Sequence, residues 1–399
     1  MSKQSPLRLA IVRSGALKQQ HHLTTLCQYL VTQGIQIEFI SFQAPASEVA
    51  WFGEQVPGIK THALGQWDSG GMGRFIRGGR ALRNKLISIQ FDILYIIDSW
   101  TLPFIFIATA GSMKFGKSAV VYHTFDMIIP QGHGHIYCGL ERYMARRSQL
   151  NVNTDRSRAE VGKMMYDLKE TPLSVPLRML QDTVLPDCDN ELRASFLGSG
   201  DTRNNFLVVY PTVIQPSRLS RQVISSFSEL PSTYHLVTVD AGGVYAQECR
   251  NDIKLFGLED RVHLLSPMPH EKILELCACA DIGLIFHDMD AGIGNYFCHP
   301  GRLAYFVALG LPVVASDVPA LASLIYRYSL GTCCNPHEPV DMARAIKEIC
   351  EGDIELRSRR VLVRDAFLHD LHYERSAKRL VDNLSRLRPQ NFRAFSEFM

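Results

Sequence analysis

Pro300, Gly301 and Arg302 stand in a row where their residue types favour an anion. A proline needs no amide donor in the first turn of a helix. The free amides of that turn carry the positive end of the helix dipole. Gly301 lets a ligand come close to the backbone. The forked guanidinium of Arg302 suits a phosphate. The simplest ligand for the set is a diphosphate. The same three residues also begin an ordinary helix, and local features do not separate the two readings. His123 and Asp126 follow a strand-like run, and Ser14-Gly15 and Asp98 follow two others. Ligands of doubly wound sheets collect at such carboxyl ends. There His123 either faces a ligand or is hydrogen-bonded within its own domain.

The surrounding pattern says which elements must hold these residues. Leu303, Phe306 and Val307 share one helical face. Gly310 suits a left-handed helix end, and Pro312 stops the helix from continuing. Val313, Val314 and Ala315 then read as a short buried strand. Loop, helix, turn and strand make the repeating unit of an open parallel sheet. The chain opens the same way, with a strand at Leu9 to Val12, a helix through Leu23, Leu26, Cys27 and Leu30, and a strand at residues 35–42. Further strands are expected at residues 91–97 and 118–122, with an apolar helix at 102–110 between them. A second set begins with residues 206–210 and 234–239. Between the sets the chain is polar and turn-rich, with Pro186, Gly198, Gly200 and Asn204. The expected fold class is α/β with two domains. The boundaries are residues 1–185, a linker at 186–205, a second domain at 206–375 and a helical tail at 376–399.

Composition excludes several classes. The chain has 399 residues, 46% hydrophobic and 21% charged, which fits two globular domains and not a disordered chain. A formal net charge of +2 gives no general reason to bind nucleic acid. No apolar stretch approaches the ~20 residues of a membrane span. The ten cysteines contain no CxxC pair, and Met1 to Leu7 is polar. Reduced thiols in the cytoplasm are the expectation. One stretch carries local charge. Arg74, Arg77, Arg80, Arg83 and Lys85 follow Gly70-Gly71-Met72-Gly73 on a helical pattern and share a broad basic face. That face is either solvated or meets an anionic membrane surface peripherally.

Two clusters are candidate metal sites: His133, His135 and Cys138, and His287, Asp288, Asp290, Cys298 and His299. Neither has the spacing of HExxH or of paired CxxC, so no metal is expected. No GxSxG elbow and no GxxxxGK[ST] loop is present, which removes serine hydrolase and P-loop readings. The turn at Ser14-Gly15 is not GxGxxG, which weakens a dinucleotide reading.

Several blocks, in order, resemble retaining glycosyltransferases of the GT-B fold, in the large family 4 class. Pro300, Arg302, Leu303, Ala308, Gly310, Pro312 and Val313 fit that family's P-N-K-L-F-E-Y-M-A-x-G-x-P-V. Gly257 to Leu265 fits GL-x-D-R-V-x-F-L, and Ala280 to Leu284 fits ADIGL. Glu141 to Val152 is similar to its ERRLxRRADxVI. The resemblance implies two Rossmann-like domains facing across a cleft, with a C-terminal helix crossing back. It implies transfer of a sugar from a nucleoside-diphosphate sugar, with retention of configuration. The donor residues it implies are Arg218 or Arg221, Met268, Asp288, Asn295, Gly301, Arg302, Leu303 and Tyr305. His123 takes the catalytic place. Ser14, Gly15, Asp98 and Asp126 line the acceptor side. A UDP-sugar is favoured over a GDP-sugar, with no separate cofactor. The acceptor is a glycan, a lipid-linked sugar or a small molecule. Tyr305 stands where the family has a ribose-binding glutamate, and Gly301 where it has asparagine. The alternative is therefore a non-catalytic GT-B subunit that keeps the fold beside a partner protein.

Overall fold

The computed structural model describes residues 5–18, 20–67, 71–126, 134–198, 204–290, 293–297, 299–352 and 354–387. Seven strands form one parallel sheet. They are β1 (Arg8–Ser14), β2 (Gln36–Phe42), β3 (Lys60–Ala63), β4 (Ile93–Ile97), β5 (Ala119–Thr124), β6 (Leu150–Asn153) and β7 (Leu173–Ser174). Their order is β3-β2-β1-β4-β5-β6-β7. Six more form a second parallel sheet: β8 (Phe206–Val213), β9 (Tyr234–Val239), β10 (Val262–Leu265), β11 (Ile282–Ile285), β12 (Val313–Ser316) and β13 (Gly331–Cys334). Their order is β10-β9-β8-β11-β12-β13.

In each sheet the order reverses beside the first strand, which sets a switch point at β1/β4 and another at β8/β11. Side chains alternate across the strands, so both faces of a covered sheet must be apolar. Leu9 and Ile11 join one core of the first unit, and Ala10 and Val12 join the other. That is why these strands read as unbroken apolar runs.

One compact unit comprises the chain up to Leu180 together with the segment from Tyr373 onward; the other is Gln181–His372. The C-terminal helix Tyr373–Arg386 thus belongs to the first unit. Its Ala377, Leu380 and Leu384 enter that core, and Tyr373 meets Tyr29 edge-on at 5.7 Å. The stretch expected as a linker, 186–205, holds the helix Asn190–Leu197. Asp189 caps it, accepting from the amides of Glu191 and Leu192. Phe196 and Leu197 are buried, and Arg193 pairs with Asp281 at 2.7 Å. This segment is part of the second unit, because its apolar side has a face of that unit to cover. Residues 199–203 of the expected linker, and 388–399 of the expected tail, lie outside the described residues.

The helix expected after Pro300 spans Gly301–Ala308, with Pro300 at the flanking position before it. Gly310 follows at φ +66°, the left-handed conformation expected of it. A Cβ there would lie 2.8 Å from the carbonyl oxygen of Arg360, so the position also requires glycine for space.

Helix His135–Arg147 is fastened from inside. Glu141 is fully buried and accepts a 2.7 Å bond from the Tyr122 hydroxyl of β5. Burial pushes its carboxyl up to about 7, while hydrogen bonds from Tyr166 and Tyr122 pull the other way. A raised carboxyl contributes stability that is complete below its ordinary 4.5 and lost as pH rises through about 7. Glu141→Gln cannot titrate. Between pH 4.5 and 8 the wild type should lose up to about 3 kcal/mol relative to this variant. Urea denaturation across that range checks it, and parallel profiles would show that Glu141 does not titrate near neutrality.

Candidate functional site

The second switch point gathers the residues that suit an anion. Tyr210 of β8 is 1% exposed. Its hydroxyl donates to the carbonyl of Arg218 at 2.6 Å and approaches the carbonyl of Phe286 at 3.3 Å. One group therefore ties the loop after β8 to the loop after β11. The Arg218 guanidinium donates to the His287 imidazole. His287 is held in turn by Ser316 at the end of β12, whose hydroxyl accepts from its amide at 3.0 Å. Arg302, from helix Gly301–Ala308, lies over the Tyr210 ring at 5.7 Å from its centre. Burial pushes the Tyr210 hydroxyl up to about 12, against the pull of Arg302 and Arg218. Two cations from separate segments thus converge on one buried phenol. Nη1 of Arg302 is buried without a hydrogen-bond partner among the described residues. Gly301 is exposed, with open space where a Cβ would stand.

Other expected donor residues are placed differently. Arg221 is on helix Ser220–Ser228 and pairs with Asp252 at 2.5 Å and Glu248 at 3.2 Å. It serves the packing of that helix on helix Val244–Leu255, so of the two arginines only Arg218 reaches the Tyr210 group. Leu303 is a fully buried core side chain, because its helical face is the one laid on the sheet. Asn295 donates to the Asp288 carbonyl at 2.7 Å and shapes the loop. The Asp288 carboxylate accepts from the amide of Asp290 and lies 3.6 Å from His337. Asp288 and His337 help line a surface hollow of about 640 Å³ with Arg221 and Tyr245.

Ligand atoms of Asp288, Asp290 and His337 lie within 4.8 Å of one another. His337 was not in the sequence cluster, whereas His287 turns to Arg218 and His299 to the carbonyl of Ala320. His133 and Cys298 lie outside the described residues.

Tyr305 meets His270 edge-on at 5.5 Å, two residues after Met268 in the loop that follows β10. Burial raises its phenol far above the ordinary range. The place of the expected ribose clasp is therefore filled by an aromatic pair. His270 had no sequence signal; only the loop's return brings it there.

The first switch point holds a different set. Arg13, at the end of β1, is 6% exposed and lies 3.7 Å from Asp98, at the end of β4. Asp98 accepts from the amides of Phe125 and Asp126 at 2.8 and 3.4 Å. Burial pushes its carboxyl up to about 6; Arg13 opposes this and Asp126 adds to it. Asp98 therefore braces the loop after β5 and does not present a free carboxylate. Asp126 is exposed. Ser14 and Gly15 are bonded through their amides to Thr101 and to the Phe42 carbonyl. Arg13 was not expected as a site residue, although its position directly before Ser14 was a usable signal.

His123 is 1% exposed. Nδ1 is 2.8 Å from the Tyr95 hydroxyl, and the ring packs edge-on against Phe125 at 4.5 Å. Burial, with a smaller push from His22, lowers its pKa to about 3. Its Nε2 has no hydrogen-bond partner among the described residues. The imidazole is thus neutral at ordinary pH and unsuited to hold a proton there.

No protein-family model matches the chain. In fold it is similar to HepE of Anabaena in complex with UDP, with a TM-score of 0.73 at 15% identity over 95% of this chain and 99% of that one. It is also similar to sucrose-phosphate synthase of Thermosynechococcus elongatus, with a TM-score of 0.71 at 13% identity over 97% and 100%. The fold is that of GT-B glycosyltransferases, two Rossmann-like α/β domains with parallel sheets. A stretch of 96 residues is 32% identical to chitobiosyldiphosphodolichol beta-mannosyltransferase of Candida albicans. That match takes in 24% of this chain and spans about a fifth of the relative's length, 20%.

A lowered histidine pKa gives stability present above its ordinary 6.5 and lost as pH falls toward about 3. The raised Asp98 carboxyl acts in the opposite sense, losing its contribution as pH rises through about 6. Comparison with His123→Asn isolates the histidine. Between pH 6.5 and 4.5 the wild type should lose up to about 2.5 kcal/mol relative to the variant. Urea midpoints at those two pH values measure it; an equal fall in both proteins excludes a buried neutral His123.

Proposed function

We propose that this chain is a glycosyltransferase that moves a sugar from a nucleoside-diphosphate sugar to an acceptor hydroxyl, with retention of anomeric configuration. The observation that carries this reading is the convergence of Arg218 and Arg302 on Tyr210, beside the exposed Gly301 that starts helix Gly301–Ala308. Two cations and the positive end of a helix dipole neutralise a diphosphate as it leaves. In the retaining step the bond from the anomeric carbon to the diphosphate breaks, with its electron pair going to phosphate. The acceptor oxygen bonds to the same face, and its proton passes to a departing phosphate oxygen. The chain's own contribution is to hold charge, so no residue must titrate near neutral pH. That fits the lowered pKa of His123, which is buried and neutral. A UDP-sugar is the proposed donor, since HepE is described in complex with UDP and with UDP-glucose. A mannosyltransferase match over part of the chain accords with sugar transfer. The acceptor is a glycan, a lipid-linked sugar or a small molecule. The cysteines among the described residues are free thiols, and a cytoplasmic setting is part of the proposal. No helix among the described residues is long and apolar enough to cross a membrane.

Calorimetry with UDP and GDP tests the phosphate site. Arg302→Ala should weaken binding by ~1.5–3 kcal/mol, the range for a charge-assisted hydrogen bond. Equal affinities of wild type and variant would remove Arg302 from the site. Incubation with a panel of nucleotide sugars, followed by detection of free nucleotide, tests turnover.

A second reading has its own observation. Tyr305 is packed against His270 where two ribose hydroxyls would be clasped. A phenol offers one oxygen, whereas a carboxylate accepts two charge-assisted bonds. This favours a GT-B subunit whose donor site has decayed and which acts beside a partner protein. Tyr305→Glu separates the two. In the transferase reading the donor is seated around the tyrosine, and the new buried charge should weaken UDP binding at least tenfold. In the partner reading the same change restores the clasp and tightens binding.

A further inference from the structure

Helix Met72–Ser88 carries the basic stretch noted in the sequence, and the structure divides its cations by task. Arg83 donates to the carbonyl of Ala108 at 3.0 Å and so caps helix Leu102–Ala108. Arg74 lies over the Phe75 ring at 4.6 Å, and Lys85 is half-buried. Arg77 and Arg80 are exposed. The helix packs closely on Leu102–Ala108 through two glycines. A Cβ at Gly79 would fall 2.4 Å from Ile107, and one at Gly78 would fall 2.5 Å from Phe104. Helix Leu102–Ala108 packs in turn on helix His135–Arg147. All three cover the same side of the first sheet.

The outer side of these helices is unusual in two respects. It exposes large apolar side chains: Ile136 at 80%, Met72 at 68%, Trp100 at 45% and Phe106 at 39%. Among the described residues these helices also carry no exposed carboxylate. Residues 71–150 hold ten Lys or Arg and four acidic residues. Asp92 pairs with Arg8, Asp98 and Glu141 are buried, and Asp126 belongs to the loop after β5. The only acidic residue within the three helices is thus the buried Glu141. Exposed Trp and Tyr with Arg and aliphatic side chains, on helices without an exposed acid among the described residues, are the chemistry of a group that lies at a lipid headgroup boundary.

We propose that this face docks on an anionic lipid bilayer, with Arg77, Arg80 and Arg142 against headgroup phosphates and Ile76, Trp100 and Ile136 at the acyl boundary. The contact is peripheral. Charge complementarity favours lipid over a second copy of the chain, because two such basic faces repel. The proposal does not rest on the transferase reading, since it uses no residue of the second unit.

Flotation with phosphatidylcholine vesicles, with and without phosphatidylglycerol, tests it. The full chain should float with the anionic vesicles at low salt and be released as salt rises. Each arginine near such a surface strengthens binding about fivefold, so Arg77→Ala with Arg80→Ala should weaken partitioning about twenty-five-fold. Lysine at both positions should largely restore it. Tryptophan emission should shift to the blue on vesicle addition in the wild type and much less in Trp100→Phe. UDP binding, measured alongside, should not change in these variants. Flotation that ignores phosphatidylglycerol, or that survives loss of both arginines, overturns the proposal. Sedimentation without vesicles that the same two substitutions abolish assigns the face to a second copy instead.

Discussion

The hydroxyl of Tyr210 is the interaction on which the second unit's site depends. It reaches the carbonyls of Arg218 and Phe286, one on each loop that leaves the switch point. The single O–H proton is given to Arg218 at 2.6 Å, and the Phe286 carbonyl stands at 3.3 Å. The phenol also gives Arg302 a ring to lie over. Without it, two guanidinium groups from segments far apart in the chain would have no shared surface. Their mutual repulsion would then favour separation.

Ser316 extends the same brace. Its hydroxyl accepts from the His287 amide and donates to the His287 carbonyl at 3.2 Å, so β12 fixes the ring that receives Arg218. The cations therefore stand on a braced turn after β8 and on a helix start. Preorganised charge of this kind is what a leaving phosphate needs, because no reorganisation is required as charge develops.

The first unit uses the same topology for a different balance. At its switch point Arg13 and Asp98 face each other at the ends of β1 and β4, both nearly inaccessible. There the cation is matched by an anion, and the anion's oxygens hold the loop after β5. At the second switch point Arg218 meets a histidine and Arg302 lies over a phenol. The two units share a fold, but their switch points gather different side chains.

Much of the fold was legible because each apolar run, Leu9 to Val12 or Val313 to Ala315, is a strand covered on both faces. Such burial writes itself into residue type. Gly310 was legible for a similar reason, since only glycine takes its backbone angle without strain. The helix at Gly301–Ala308 and its Arg302 could be named from the sequence, because caps and first turns are local. The fate of side chains that reach across the fold was not local. Arg221 and Arg218 lie three residues apart with similar prospects, yet helix packing gives one to Asp252 and strand order gives the other to His287. His123 ends its strand as expected, but β4 supplies Tyr95 and the following turn supplies Phe125, and together they close the ring off. The sequence by itself determined which segments are strands and helices and which residues begin the helix at Gly301. Tertiary structure alone decided which charges are cancelled and which remain, because that depends on neighbours brought from distant parts of the chain.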